Sequence, residues 1–172
     1  SRSTASLRRK VARVEHMLQE TYGDPPRRDG MPPLDQLVAT ILSQNTNDTN
    51  SGRAFRGLRA AFPTWRDVLD APTDQVEETL RPGGLARTKA RRIKAILGEL
   101  DDGGPLRLDG LDALSDEEAE RRLLALDGVG YKTARCVLLF ALGRDAFPLD
   151  THVQRVLKRL GILPEGMSAD RA

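Results

Sequence analysis

The sequence has few of the features that mark secreted or membrane proteins. It contains one cysteine among 172 residues, which excludes a disulfide framework within the chain and favours a buried structural thiol at Cys136. Its longest apolar run, Cys136 to Leu142, is far shorter than the roughly 20 residues that a membrane span needs. No apolar core or cleavage-site pattern follows Ser1 to Ser3, as a signal peptide would require. We therefore expect an intracellular protein.

The chain also lacks an excess of charge of one sign. Its 27 basic and 25 acidic residues leave a net charge of +2, so overall charge does not indicate a nucleic-acid-binding protein, and any basic surface must be local. On a helix, a basic run is about as often a solvated face as a binding surface. The basic residues cluster in two places, first at Arg87, Lys89, Arg91, Arg92 and Lys94, and again at Arg155, Lys158 and Arg159.

The sequence contains no alternating pattern long enough for a β-strand, no fixed-period repeat and no low-complexity tract. Apolar residues recur at helical spacing along most of the chain instead. We expect side-chain helix caps from Asp48, Thr64, Thr73 and Ser115, the last in a capping box with Glu118. The composition, 39% hydrophobic and 30% charged, is typical of a globular chain. The sequence thus predicts an all-α fold.

The most informative segment runs from Leu126 to Ile162 and begins with a glycine hairpin. One helix is broken by Gly128, Val129 and Gly130, and a second helix follows from about Tyr131. The glycines let the backbone take positive φ, and the unpaired amides of the second helix carry the positive end of its dipole. This segment predicts a helix-hairpin-helix turn that docks on the DNA backbone without base readout. The structural alternative is a glycine pair that only turns the chain between packed helices.

The motif GVGYKTA followed by LDTHVQRV resembles the signature of the helix-hairpin-helix DNA glycosylase superfamily, and within it the endonuclease III branch. The resemblance extends from about Leu34 to Ile162. It implies a six-helix bundle at residues 24–144, with the helix-hairpin-helix motif at 115–142, and a second helical domain formed by 1–23 and 145–172. It also implies a monomer of the cytoplasm or nucleoid, with no membrane contact. Its partner would be double-stranded DNA that contains a damaged base or an abasic site.

The resemblance assigns chemistry to two residues. Lys132 takes the place of the family's nucleophile, and Asp150 that of its catalytic carboxylate. A lysine attacks only as the neutral amine, which the dipole of the first helical turn and desolvation by a bound sugar favour. It would attack C1′ of a flipped nucleotide, expel the base and cut the strand by β-elimination. Without the resemblance, Lys132 would be a surface lysine beside phosphate, and Asp150 a helix N-cap.

Two further segments resemble the parts of the family that enter the duplex. The segment ILSQNTND, residues 41–48, resembles the one that fills the gap left by a flipped nucleotide. The segment RPGGLARTKA, residues 81–90, resembles the opposing wedge loop, with Leu85 as the wedge and Arg87 beside it. The family more often has glutamine as the plug. The resemblance makes Asn45 the polar plug, but because this chain reads Gln44-Asn45, either of the two residues could enter the duplex.

The resemblance also bears on a cofactor. Many endonuclease III relatives bind a [4Fe-4S] cluster through four C-terminal cysteines, and one thiol cannot form such a site. We expect residues 1–172 to bind no metal and no cofactor. A cluster is expected only if the native chain continues past Ala172 with four cysteines.

The predicted function is a base-excision-repair DNA glycosylase with AP lyase activity, acting on damaged bases and chiefly on oxidised pyrimidines. The lysine at position 132 in GVGYKTA favours the lyase-competent type. Two alternatives stay open: a purine-mismatch glycosylase of the same superfamily, and a non-catalytic helix-hairpin-helix module that binds the DNA backbone. A third class, an all-helical protein-interaction scaffold, would show no salt-dependent DNA affinity.

Overall fold

The structure is a computed structural model that describes residues 4–25 and 30–167. In these residues the chain forms nine α-helices and one short 3₁₀ helix, and it forms no β-strand. The predicted all-α fold is confirmed. Among the described helices, none combines the length and the apolar character that crossing a membrane requires.

The chain divides into two compact units. The larger unit spans Gly30–Pro148. The smaller unit comes from both ends of the chain, Ser1–Asp29 and Leu149–Ala172, of which residues 4–25 and 149–167 are described.

The larger unit is a bundle of seven α-helices around one apolar core. Helical periodicity in the sequence predicts all seven, whereas the family resemblance implies six. The helices are α2 (Pro33–Ser43), α3 (Asp48–Ala61), α4 (Trp65–Asp70), α5 (Thr73–Leu80), α6 (Ala86–Glu99), α7 (Asp116–Leu124) and α8 (Tyr131–Phe140), and a 3₁₀ turn, Arg81–Gly83, joins α5 to α6. Helix α2 packs against α3 and α8, and α5 packs against α6. Leu37, Ile41 and Ile93 are fully buried at the centre of this core.

Two helices of the bundle begin at predicted caps, and both caps are capping boxes, of which the one at Ser115 is predicted as such. Thr64 caps α4 by accepting a hydrogen bond from the Asp67 amide, and the Asp67 carboxylate accepts one from the Thr64 amide in return. Ser115 and Glu118 form the same reciprocal pair at the start of α7. Each box satisfies two amides that the helix itself leaves without a partner.

The other two predicted caps are wrong. Asn47, not Asp48, caps α3, because Asn47 has the extended backbone that lets its side chain accept from the Asn50 amide. Asp48 is already helical and stabilises the first turn by its negative charge. Thr73 is the first residue of α5, and Pro72 before it provides no side-chain cap.

The smaller unit contains α1 (Thr4–Tyr22) and α9 (Thr151–Arg159). The Lys10 ammonium on α1 donates to the carbonyl of Leu160, which follows α9. The Gln154 side chain on α9 donates to the carbonyl of Met167 at 2.9 Å. These contacts join the first helix of the chain to its last described segment.

Candidate functional site

The hairpin between α7 and α8 has one buried residue, Val129, between two exposed glycines, Gly128 and Gly130. Gly128 has a φ of 72°, a left-handed conformation that is costly for a residue with a Cβ. Gly130 has a φ of −95°, so only one of the two glycines takes the positive φ that the sequence suggests. The Val129 side chain is buried, and its amide donates to the Leu126 carbonyl at 3.1 Å. Of these three residues, only the two glycines are exposed.

Helix α8 begins at this hairpin without a side-chain cap, because its N-cap residue is Gly130. Its first intrahelical bond runs from the Ala134 amide to the Gly130 carbonyl, at 2.9 Å. The preceding amides have no acceptor within the helix, and such amides form an anion-binding end. Lys132 is the second residue of α8 and is half-buried, which confirms its predicted place in the first turn.

The first turn of α8 is fixed against α7. The Arg135 guanidinium lies 5.5 Å from the centroid of the Tyr131 ring, within the range of a cation–π contact. Arg135 also donates to the Glu120 carboxylate on α7 at 2.9 Å. Lys132, next to Tyr131 in sequence, therefore lies in a turn that is connected to α7 through Arg135.

The turn after α2 distinguishes the two candidate plug residues. The Gln44 side chain is engaged at both ends: Nε2 donates to Thr133 Oγ1 at 3.3 Å, and Oε1 accepts from Arg92 Nη1 at 3.1 Å. Asn45 is exposed and has a φ of 54°. The structure thus holds Gln44 against α6 and α8, and leaves the Asn45 side chain at the surface.

The predicted wedge residue is also exposed and strained. Leu85 is 55% exposed, a high value for a leucine, and has a φ of 51°. Within the described residues, Asn45 and Leu85 are the two non-glycine residues with positive φ. This conformation costs a leucine about 1–2 kcal/mol and an asparagine less, and such strain concentrates at functional sites. A left-handed backbone therefore marks the predicted wedge, Leu85, and one of the two candidate plug residues, Asn45.

The basic run on α6 is not a single surface, as the position of Lys89 shows. Its side chain is buried, and Nζ donates to the carbonyls of Leu42 and Gly83, each at 2.8 Å. Burial lowers the pKa of the Lys89 ammonium below its usual value. Lys89 cannot meet a phosphate from this position.

Lys94, on the same helix, is also used within the fold. Its Nζ donates to the carbonyls of Leu69, at 2.8 Å, and of Ala71, at the connection between α4 and α5. The exposed members of the basic run are Arg87 and Arg91. The two lysines of this run therefore make contacts within the fold and do not contribute to one basic surface.

Most of the chain, including the candidate site residues described above, matches the model of one known protein family. Residues 38–171 match the family model of the HhH-GPD superfamily base excision DNA repair proteins. The chain belongs to the HhH-GPD superfamily. The matched range includes the hairpin, the Gln44–Asn45 turn, the Leu85 loop, Lys132 and Asp150.

Known HhH-GPD relatives are longer than this chain. A provisionally named DNA glycosylase of Arabidopsis thaliana is 49% identical over 139 residues, which cover 80% of this chain and 47% of that protein. Endonuclease III of Sulfolobus acidocaldarius is 35% identical over 129 residues, which cover 74% of this chain and 56% of that protein. The chain thus spans about half the length of these relatives.

A solved structure has the same architecture. An endonuclease III trapped as a covalent intermediate with DNA, with an estranged adenine, superposes with a TM-score of 0.76 and 27% identity. The match covers 95% of this chain and 73% of that one.

Asp150 lies in the smaller unit, at the start of α9. Its carboxylate caps the helix by accepting a hydrogen bond from the Val153 amide at 2.7 Å. The capping role is therefore confirmed, and the role as catalytic carboxylate stays a prediction. The second predicted basic group, Arg155, Lys158 and Arg159, lines one open groove along the same helix.

The residues of this HhH-GPD chain do not fit an iron–sulfur cluster. Cys136 is the sole cysteine in the sequence, and it is buried on α8. Among the described residues, no group of three or more His, Cys, Asp or Glu side chains could hold a metal ion. A cubane cluster needs about four cysteine thiolates, which these residues do not supply.

Sequence reasoning missed the interior roles of Lys89, Arg92 and Thr133. One signal for Lys89 was present, because Lys89, Ile93 and Ile96 lie at i, i+4 and i+7 on the apolar stripe of α6. For Arg92 and Thr133 no comparable signal exists, since both are defined by their contact with Gln44.

Proposed function

We propose that this chain carries the core of a base-excision-repair DNA glycosylase with AP lyase activity, which removes a damaged base, chiefly an oxidised pyrimidine, through a Schiff base on Lys132. The observation that supports this most directly is the position of Lys132. It lies in the uncapped first turn of α8, two residues after the exposed hairpin backbone. A strand docked on these amides would bring its sugar close to the amine.

The reaction needs a neutral amine and a carboxylate. The lysine nitrogen forms a bond to C1′ while the bond from C1′ to the base breaks, and the base leaves with that electron pair and takes up a proton. Opening of the sugar then gives the Schiff base, loss of a C2′ proton expels the 3′ phosphate, and water releases the lysine. Asp150 is proposed to stabilise the positive charge that develops on the sugar.

Extrusion of the base needs residues that replace it in the stack. We assign Leu85 as the wedge and Asn45 as the plug, since both are exposed and strained. Gln44 is the weaker candidate, because Arg92 and Thr133 engage both ends of its amide. Unstacking a base costs a few kcal/mol, which the inserted side chains offset. Arg87, exposed beside the wedge, would meet phosphate.

The comparisons support the covalent route and leave the lesion open. The similar endonuclease III structure is a trapped covalent intermediate with DNA, which is the kind of adduct that an attacking lysine would form. We propose that this chain acts in the same way, as a monomer on double-stranded DNA.

A lesion panel on the full-length protein tests the proposal. It would contain duplexes with thymine glycol, with adenine opposite 8-oxoguanine and with a preformed abasic site. We expect strand cleavage at thymine glycol and at the abasic site without alkali. A strand break that forms only after alkali treatment would contradict the proposed lyase activity. Exclusive release of adenine would favour the mismatch glycosylase. DNA binding that weakens with salt but releases no base would favour the non-catalytic module.

A further inference from the structure

Lys89 is a buried cation that joins the plug turn to the wedge loop. Its Nζ reaches the carbonyl of Leu42, in the last turn of α2, and that of Gly83, in the 3₁₀ turn, each at 2.8 Å. Leu42 lies three residues before Asn45, and Gly83 lies two residues before Leu85. The Lys89 side chain therefore links the backbone just before Asn45 to the backbone just before Leu85.

The placement of this lysine is costly in itself. Burying an ammonium loses its hydration, and neutral carbonyls return only part of that free energy. The side chain is nevertheless only 4% exposed. Because carbonyls in the last turn of a helix have no acceptor role within it, the lysine satisfies Leu42 where α2 gives way to the Gln44–Asn45 turn.

The surrounding contacts show why a link is needed here. Left-handed residues such as Asn45 and Leu85 persist only where their neighbours fix the backbone. On the wedge side, a Cβ at Gly83 would lie 3.0 Å from Ala54 Cβ, so the 3₁₀ turn sits directly against α3. On the plug side, Arg92 donates to Gln44 at 3.1 Å. Lys89 is a single side chain that reaches both of these sides.

We propose that Lys89 is a positioning residue that holds the Asn45 turn and the Leu85 loop at a fixed separation, so that plug and wedge enter the duplex as one rigid pair. This inference rests on the proposed function, because it uses the assigned roles of Asn45 and Leu85. Lys89 acts only through the two loops, since its ammonium is buried and touches no DNA.

Lys94 provides a matched control on the same helix. Its Nζ also donates to two carbonyls, those of Leu69 and Ala71. These lie at the connection between α4 and α5, which carries no candidate DNA-contact residue. Lys94→Met therefore removes the same kind of contact as Lys89→Met, but leaves the plug turn and the wedge loop linked.

The experiment compares both variants with wild type in the full-length protein. Hydrogen exchange of the free protein reports the loops at residues 43–47 and 83–86. Single-turnover excision of a damaged base reports extrusion, and cleavage at a preformed abasic site reports chemistry that needs no extrusion. We expect Lys89→Met to raise exchange in both loops and to slow excision by about tenfold to a hundredfold. Cleavage at the abasic site should fall much less, and Lys94→Met should leave both loops and both rates near wild type.

Three results would each overturn the inference: unchanged loop exchange in Lys89→Met, equal losses of Lys89→Met on damaged and abasic duplexes, or the same changes in Lys94→Met as in Lys89→Met. If wild type releases no base from any duplex, the proposed function fails, and loop exchange alone decides the role of Lys89. If Lys89→Met does not fold, Lys89→Gln replaces it, because its amide keeps a polar donor in the buried site while its side chain, one bond shorter, is expected to reach at most one of the two carbonyls. Wild-type loop exchange in Lys89→Gln would then refute the link.

Discussion

Alanine at Gly128 and alanine at Gly130 should have opposite consequences, although the two residues belong to one hairpin. At Gly128 the φ is 72°, and a Cβ would lie 2.6 Å from Nε and 3.1 Å from Cδ of Arg92. At Gly130 the φ is −95°, and a Cβ would meet nothing within 4 Å. The first substitution should therefore disturb the fold, and the second should disturb only what approaches from outside.

The cost at Gly128 has two parts. A left-handed alanine costs about 1–2 kcal/mol. Arg92 must also move, and losing its hydrogen bond to Gln44 costs about 1 kcal/mol more. The sum, about 2–3 kcal/mol, should lower the thermal midpoint by about 4–12 °C, at about 2–4 °C per kcal/mol for a chain of this size. Gly130→Ala should change stability by less than about 1 kcal/mol, because the lower entropy of the unfolded chain is offset by alanine being a poorer N-cap for α8 than glycine.

Thermal unfolding and DNA binding together separate these effects. Fluorescence anisotropy with an abasic duplex at fixed salt should show binding about tenfold to a hundredfold weaker for Gly130→Ala, because its methyl group blocks charge-assisted amide–phosphate bonds worth about 1.5–3 kcal/mol. Arg92→Ala in the Gly128→Ala background should cost less than the sum of the two single changes. Equal thermal midpoints for the two glycine variants would refute the packing argument. Wild-type affinity in Gly130→Ala would show that the hairpin amides do not bind the DNA phosphate.

Three further expectations concern the catalytic carboxylate, the wedge and acid stability. Asp150→Asn should keep α9, since asparagine caps as well as aspartate, and should slow base excision about a hundredfold or more; a collapse of the thermal midpoint would make the residue mainly structural. Leu85→Ala should slow excision of a damaged base more than cleavage at an abasic site, where no unstacking cost of a few kcal/mol arises, and equal losses would remove the wedge role. The hydrogen bond from Arg66 lowers the pKa of Asp101 from 3.8 to about 2, so this pair should stabilise the fold above pH 3.8 and cease to do so as the pH falls through about 2. Unfolding curves of Asp101→Asn across this range should lack that part of the acid dependence, and a dependence equal to wild type would contradict it.

Local sequence signals were sufficient for the helices and for most of their boundaries. The caps at Thr64 and Ser115, and the capping box at Ser115, are readable from the sequence because a cap and its partner lie three residues apart. The boundary of α3 was missed by one residue, since Asn47 and Asp48 are adjacent and both are good caps. Such choices depend on backbone geometry that the sequence does not display.

Local sequence signals do not show which of Gln44 and Asn45 stays at the surface, or that Lys89 is buried. Gln44 is withdrawn from the surface by Arg92, 48 residues away, and by Thr133, 89 residues away. Lys89 finds its acceptor at Leu42, 47 residues away. These contacts arise only once the helices have packed, so neighbouring polar residues that look equivalent in sequence acquire different roles.

Borohydride trapping on abasic DNA tests the central claim most directly, because only an amine that forms a Schiff base is reduced to a stable adduct. The full-length wild-type protein should be covalently linked to the duplex, with the adduct on Lys132 in the peptide mass spectrum. Lys132→Ala should form no adduct while binding the duplex nearly as well as wild type, since the hairpin amides at Gly128 and Gly130 do not need the lysine side chain. An adduct on another residue, or undiminished trapping of Lys132→Ala, would contradict the assignment of the nucleophile.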